Sequence, residues 1–210
     1  MFAGLFTLTG NAQPVFPAIT SRTEAISALE RPDPRERASA IAYLGRAGLA
    51  GDAPRLLKLL SDENPLIREL AEQNVWRVWS HSREPGLDRL LSEGVSQMQA
   101  GDLDQAIATF SRVIRQKPAF AEGWNKRATA WFLKGRLRES LADCDEVIKR
   151  NPQHFGALSG YGQIYLRLEE FDKALDYLHR ALAVNPNLQG VEAEIEQIEA
   201  LQRERRRRMI

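Results

Sequence analysis

Apolar, small and proline positions recur every 34 residues in the carboxy-terminal half of the chain. A skeleton that begins GDLDQA and ends in a proline runs from Gly101 to Pro118, and it returns at 135–152 and 169–186. Each terminal proline ends a helix, because it has no amide hydrogen to donate and its ring clashes with the preceding turn. The pattern therefore predicts three consecutive units, each built from two helices.

Residue size follows the same period within these units. Small residues stand where the two helices of a unit must approach closely: Gly94, Ala128 and Gly162 on the first helices, Ala106, Ser140 and Ala174 on the second. Bulky residues stand where each helix faces a neighbour: Leu90, Trp124, Leu158, Trp131, Tyr165, Phe110 and Leu178. This is core patterning, so we expect Trp124 and Trp131 to be buried.

The skeleton resembles the tetratricopeptide repeat over residues 87–186, with units at 87–120, 121–154 and 155–188. The third unit fits best, through Tyr161, Gly162, Tyr165, Ala174, Ala181 and Pro186. Glu93 and Arg127 depart from the family's usual leucine, and Gln97 departs from its usual aromatic residue. The resemblance implies stacked helical hairpins whose first helices line a concave face.

Residues 21–86 show a different helical rhythm. Ser21 with Glu24 forms a capping-box pattern, and Asp33-Pro34 and Asn64-Pro65 each place a capping side chain before a proline. Three helices are expected to begin there. Arg37 and Arg68 follow the two proline caps at equivalent distances. With the leucine-rich run Leu56–Leu60, this segment resembles two short HEAT-type repeats.

The last segment, 187–210, predicts one further helix from Leu188 to Arg208. Its narrow apolar stripe consists of Val191, Ile195, Ile198 and Leu201. Glutamates precede arginines along it, as the helix dipole favours. Such a helix suits the end of a stack, so the whole chain is expected to be an all-α, right-handed α-solenoid of two HEAT-like repeats, three tetratricopeptide repeats and a capping helix.

Residues 1–20 contain an apolar stretch, Met1–Leu8, followed by Gly10-Asn11-Ala12, which has the small-x-small form of a signal-peptidase site. This pattern predicts export to the periplasm, where an envelope-associated complex is the expected setting. No Lys or Arg precedes the apolar stretch, so an uncleaved apolar arm on a cytoplasmic protein is the alternative. No run in the sequence approaches the roughly 20 apolar residues of a membrane-spanning helix.

Composition argues against several kinds of chemistry. A formal net charge of +1 gives no global field to attract nucleic acid. His81, His154 and His179 lie far apart, without metal-ligand spacing, and the glycines form no phosphate-binding loop. Cys144 occupies the repeat position of Phe110 and Leu178, which predicts a buried apolar role. The acidic group Asp143, Asp145 and Glu146 is interpreted as a solvated helix face. We therefore expect no catalytic residues, no metal and no cofactor.

By resemblance to the family, the concave groove is lined by Leu91, Val95, Met98, Glu122, Asn125, Thr129, Phe132, Ser159, Gln163 and Leu166. The positions at which some family members clamp a terminal carboxylate hold Leu91, Val95, Lys126, Gly156 and Gly160, which argues against that mode. The sequence thus predicts a non-catalytic scaffold that binds a protein or peptide through apolar anchors. Alternatives are nucleic-acid or anionic-membrane binding by the tail 205–208, and an enzyme like the HEAT-type pigment lyases.

Overall fold

The structure is a computed structural model that describes residues 17–47 and 49–208. These residues form eleven α-helices and no strand, which confirms the all-α prediction. The helices are α1 (Arg22–Ala28), α2 (Pro34–Ala47), α3 (Ala53–Lys58), α4 (Pro65–Ser80), α5 (Pro85–Gln99), α6 (Leu103–Gln116), α7 (Ala121–Leu133), α8 (Leu137–Arg150), α9 (Phe155–Arg167), α10 (Phe171–Val184) and α11 (Val191–Arg208). Short 3-10 turns at Ala50–Asp52 and Leu59–Ser61 flank α3. The predicted cleavage position lies at residues 10–12, outside the described residues.

Helices α5 to α10 form three hairpins that stack in sequence, and α11 packs on α10 at the end. The small residues are required as predicted, because a Cβ at Gly94 would overlap the ring of Phe110 and a Cβ at Gly162 would overlap Leu178. Cys144 is buried, as predicted, and burial raises the pKa of its thiol to about 12. The α11 stripe buries Val191, Ile195 and Ile198 but leaves Leu201 exposed.

Helices α1 to α4 form the amino-terminal half, in which α1 pairs with α2, α3 pairs with α4, and α2 packs on α4. The predicted caps are present: Ser21 Oγ accepts from the Glu24 amide at 3.2 Å, and Asn64 Oδ1 accepts from the Leu66 amide at 3.0 Å. The expected return bond of the capping box is shifted by one residue, since the Glu24 carboxylate accepts from the Thr20 amide.

The two arginines that follow the proline caps converge on one acidic turn. Arg37 Nη2 lies 2.9 Å from Asp62 Oδ1 with both side chains buried, and Arg68 Nη1 donates to the Asp62 carbonyl at 2.8 Å. Arg37 Nη1 also donates to the carbonyls of Arg31 and Pro32. The bonds that these arginines make join α2 and α4 to the turns beside them.

The amino-terminal half lies against the turns between the repeat units. Its apolar core includes Phe155, the first residue of α9, which is fully buried. Farther along the edge, Asn187 Nδ2 donates to the carbonyl of Leu60 at 2.7 Å. Contact between α4 and α7 completes this junction. The half is therefore held by residues from the second and third units, which are distant from it in sequence.

Two burial predictions were wrong. Trp124 and Trp131 are only half-buried. The Trp124 ring packs against the guanidinium groups of Arg127 and Arg150, with ring-centroid distances of 5.1 and 4.7 Å, and its Nε1 donates to the Pro118 carbonyl at 3.0 Å. An amphipathic ring beside cations can remain partly exposed.

Candidate functional site

The concave face between α7 and α9 contains a pocket of about 160 Å³. Its lining residues, none of which is charged, are Asn125, Ala128, Thr129, Phe132, Ser140, Cys144, Gly156, Ala157, Ser159, Gly160, Gln163 and Ile164. The structure thus brings together five of the predicted groove residues, contributed by the first helices of two successive units.

The predicted groove residues differ in their exposure. Thr129 and Gln163 are exposed, whereas Val95, Met98, Phe132, Ser159 and Leu166 are half-buried. Leu91, Glu122 and Asn125 are buried, so their side chains are not exposed to a partner in this structure. Leu91 packs into the apolar core of the first unit, and the other two belong to a buried polar network.

The network is centred on the Glu122 carboxylate. Glu122 Oε2 lies 3.1 Å from His154 Nε2 and accepts from Asn125 Nδ2 at 3.1 Å, while Lys126 Nζ lies 3.0 Å from Oε1. Burial alone raises the pKa of Glu122, but the hydrogen bond from His154 and the Lys126 charge outweigh it and lower that pKa. His154 Nδ1 accepts from the Ala157 amide at 3.1 Å, so Nε2 carries the proton donated to Glu122.

Aromatic side chains from α4 enclose the same histidine. The Trp79 ring stacks on His154 with centroids 4.5 Å apart, and Trp76 meets its edge at 5.5 Å. Both tryptophan rings also lie 5.0 Å from the ring of Phe155. Trp76 covers Gly156, where a Cβ would overlap its ring. The amino-terminal half therefore occupies the concave face at the start of α9.

Sequence reasoning missed this junction. The available signal was the pair Trp76 and Trp79, spaced three apart and therefore on one face of α4, together with His154-Phe155 at the boundary between units. A second cavity, of about 550 Å³, adjoins the junction. Leu57, Val78, Trp79 and Phe120 supply its apolar walls, and Glu122 and His154 are also part of its lining.

The clamp positions carry little free positive charge. Four of them hold Leu91, Val95, Gly156 and Gly160, and the Lys126 ammonium group is already paired with Glu122. Arg167 lies beside the groove residue Phe132, with its guanidinium stacked 3.9 Å from the ring centroid. The accessible groove is thus largely neutral beside one stacked arginine.

The interpretation of the acidic cluster on α8 as a solvated face is wrong for Asp143, whereas Asp145 is exposed and Glu146 is partly exposed. Asp143 is buried and binds Arg127 through two bonds of 2.8 Å. The Tyr161 hydroxyl donates to the Asp145 carboxylate, and Arg150 pairs with Glu146. These carboxylates have structural partners, and the Arg127 departure from the family pattern is explained by its bond to Asp143.

Arg205 and Arg208 of the tail 205–208 pair with glutamates, and so does Arg203 just before the tail. Arg203 pairs with Glu199 at 3.5 Å, Arg205 with Glu169 at 3.8 Å and Arg208 with Glu204 at 2.5 Å. Within residues 17–47 and 49–208, no group of three or more potential ligands is placed to hold a metal ion. None of the helices described there is long and apolar enough to cross a membrane.

Comparison with known proteins identifies the carboxy-terminal half. Models of the tetratricopeptide repeat match residues 91–154 and 157–188, which confirms the predicted repeats. A TPR repeat-containing protein of Rhizobium etli is 36% identical over 96 residues, which cover 42% of this chain and 44% of that protein. Hsp70-Hsp90 organizing protein 3 of Arabidopsis thaliana is 27% identical over 151 residues, covering 69% of this chain and 26% of that protein. The chain therefore spans less than half the length of these relatives.

Solved structures share the fold. The Sgt2 TPR domain of Aspergillus fumigatus superposes with a TM-score of 0.56 at 20% identity, covering 59% of this chain and 83% of that one. The first TPR of Spaghetti (RPAP3), bound to the HSP90 peptide SRMEEVD, gives 0.54 at 22% identity, covering 55% and 92%. The predicted helical solenoid is consistent with these neighbours, whereas the HEAT-type resemblance, which lies outside both matched ranges, stays a prediction.

Proposed function

We propose that this protein is a non-catalytic adaptor that holds a segment of another protein in the concave groove between α7 and α9. The observation that carries the proposal is the uncharged 160 Å³ pocket on that face, with exposed Thr129 and Gln163 beside half-buried Phe132. An apolar anchor with neighbouring hydrogen-bonding groups is how grooves of this kind bind peptides.

The preferred segment is neutral and apolar rather than acidic. The Spaghetti TPR is bound to a peptide that contains two glutamates and a terminal aspartate. In this chain, leucine, valine and glycine occupy four clamp positions, and Glu122 already neutralises Lys126. An acidic tail would therefore lose water without gaining a cationic partner at these positions.

The test is partner affinity in matched variants. A partner captured from the source cells would be purified and titrated calorimetrically against the wild-type chain and the double variant Phe132→Ala, Gln163→Ala. We expect the double variant to bind about tenfold or more weakly, because a groove anchor and an amide are lost together. Helical content, measured by circular dichroism, should not change.

A control with the same chemistry is available on α4. Leu66 is 52% exposed and Gln73 is exposed, so Leu66→Ala, Gln73→Ala also removes one apolar side chain and one amide from the surface. This control should bind normally. Loss of binding in the control with normal binding in the groove variant would place the binding surface on the amino-terminal half and overturn the proposal. If neither variant weakens binding and the wild-type chain loses its partner steeply as the salt concentration rises, binding through the tail 205–208 is favoured instead.

We further propose that the adaptor acts outside the cytoplasm, in an envelope-associated complex. The apolar stretch Met1–Leu8 followed by Gly10-Asn11-Ala12 supports this location. A cytoplasmic location is the competing hypothesis, and the processing of the amino terminus separates the two.

A further inference from the structure

Most helical glycines of this chain are needed for internal packing. A Cβ would overlap a neighbouring side chain at Gly45, Gly94, Gly123, Gly156 and Gly162. Gly160 differs, because its Cβ would meet only Cys144 Sγ at 3.8 Å, an ordinary contact. Glycine inside a helix is less stable than alanine. Contacts among the described residues therefore give no packing reason for glycine at position 160.

Gly160 follows Gly156 by one helical turn, so both face the concave side of α9. At Gly156 the face is already covered by an aromatic ring, that of Trp76 from α4. Gly160 is the next position on the same face, and both glycines line the 160 Å³ pocket. The open pocket is therefore continuous with a surface on which this fold already accommodates an aromatic side chain.

The size and lining of the pocket suit a second ring. Cavities of about 150 Å³ with apolar walls accept benzene, and here Ala128, Phe132 and Ile164 supply apolar walls. Ser159 Oγ is buried without a hydrogen-bond partner among the described residues, and Gln163 is exposed at the rim. The exposed amide of Gln163 is the group placed to hydrogen-bond a peptide carbonyl beside the entering side chain.

We propose that the pocket at Gly160 receives an aromatic side chain of the bound protein segment, which packs against α9 beside Trp76. The inference rests on the proposed function, and it specifies which residue class the groove selects. The absence of a side chain at position 160 lets the ring approach the helix backbone closely.

The experiment is a titration of the ¹⁵N-labelled full chain with N-acetyl-phenylalaninamide, with N-acetyl-alaninamide and N-acetyl-lysinamide as probes of other chemistry. We expect the phenylalanine probe alone to shift the amide signals of Ser159, Gly160 and Gln163. Gly160→Leu should weaken its binding about tenfold or more by filling the pocket. Equal binding by this variant, or equal binding of the lysine probe, overturns the inference.

Gly160→Ala provides a second test in case the leucine variant does not fold. It should raise the unfolding temperature, as a helical Gly→Ala change does where space allows. It should nevertheless weaken binding of the phenylalanine probe about threefold or more. Gly86→Ala on α5, also with open space around its Cβ, should leave probe binding unchanged. Unaltered probe binding in Gly160→Ala would contradict the inference even if the leucine variant does not fold.

The outcomes also separate this inference from the proposed function. Suppose that the double variant Phe132→Ala, Gln163→Ala no longer binds a purified partner, whereas Gly160→Leu binds it normally. The proposed groove function is then supported, and the aromatic pocket at Gly160 is contradicted. If the phenylalanine probe binds at Gly160 while no groove variant changes partner affinity, the pocket does accept an aromatic ring, but the proposed function is wrong and the ring is not one that the partner supplies.

Discussion

Arg127 and Asp143 form a bidentate ion pair, in which Asp143 is buried and Arg127 is partly buried, at the positions that Tyr161 and Tyr177 occupy one repeat later. The guanidinium makes two 2.8 Å bonds to the carboxylate and a third bond, of 2.9 Å, to Ser111 Oγ. In the next unit the two tyrosine rings stack with centroids 4.2 Å apart. Two neighbouring units thus join equivalent points of their helices by different chemistry, one by charge and the other by aromatic packing.

This equivalence predicts a rescue. Arg127→Tyr alone should destabilise the fold by about 3 kcal/mol or more, because Asp143 would stay buried without its cation. The double variant Arg127→Tyr, Asp143→Tyr copies the pair of the third unit and should recover most of that loss. Urea unfolding of the wild type, of Arg127→Tyr, of Asp143→Tyr and of the double variant gives the coupling energy. A double variant as unstable as the sum of its single changes would show that the two sites are not interchangeable.

Glu122 should make stability depend on acidity. Its pKa is lowered in the folded state, where the opposing effect of burial is outweighed by His154 and Lys126. Its contribution is therefore fully present above the unfolded pKa of about 4.3 and is lost as pH falls through the lower folded value. Glu122→Gln should cost about 1.5 to 3 kcal/mol at pH 7 and flatten the stability profile below pH 4.3.

The measurement is the urea midpoint between pH 2.5 and 7. The exposed Glu93 supplies the control, because Glu93→Gln should follow the wild-type profile at every pH. A Glu122→Gln profile parallel to that of the wild type would mean that the carboxylate does not contribute through its charge.

Trp79 should fasten the amino-terminal half to the repeats. The ring is 9% exposed and stacks on His154, so Trp79→Ala should cost about 3 to 5 kcal/mol. Hydrogen exchange should accelerate in α4 and in the first turn of α9, while α10 and α11 stay protected. Trp131→Ala, at a half-buried ring, should cost less. If Trp131→Ala were less stable than Trp79→Ala, the claim that Trp79 holds the amino-terminal half against the repeats would be contradicted.

The export proposal predicts cleavage after Ala12. When the chain is produced in its native cells, mass spectrometry should find an amino terminus at Gln13 in the fraction outside the cytoplasm. Ala12→Asp, which places a charge at the small-residue position, should prevent the cut. An intact amino terminus in the cytoplasmic fraction would support the cytoplasmic alternative.

The sequence determined the helices and the stacking of neighbouring units. Ser21 and Asn64 cap their helices through bonds to the next turn, and Gly94 and Gly162 admit Phe110 and Leu178 from the following helix. These interactions join residues close in sequence, so each leaves a periodic trace. Cys144 could be placed in the core for the same reason, because its repeat equivalents are apolar.

Only the tertiary structure decided which face of each unit is open. Glu122 occupies a groove position by repeat number, yet it is buried, with its carboxylate against His154, on which the ring of Trp79 from α4 stacks. The contact of Trp76 with Gly156 joins surfaces from separate parts of the chain, and its partners share no spacing that a repeat pattern could reveal. Long-range packing depends on the shapes of two assembled surfaces, and those shapes exist only after the local hairpins have formed.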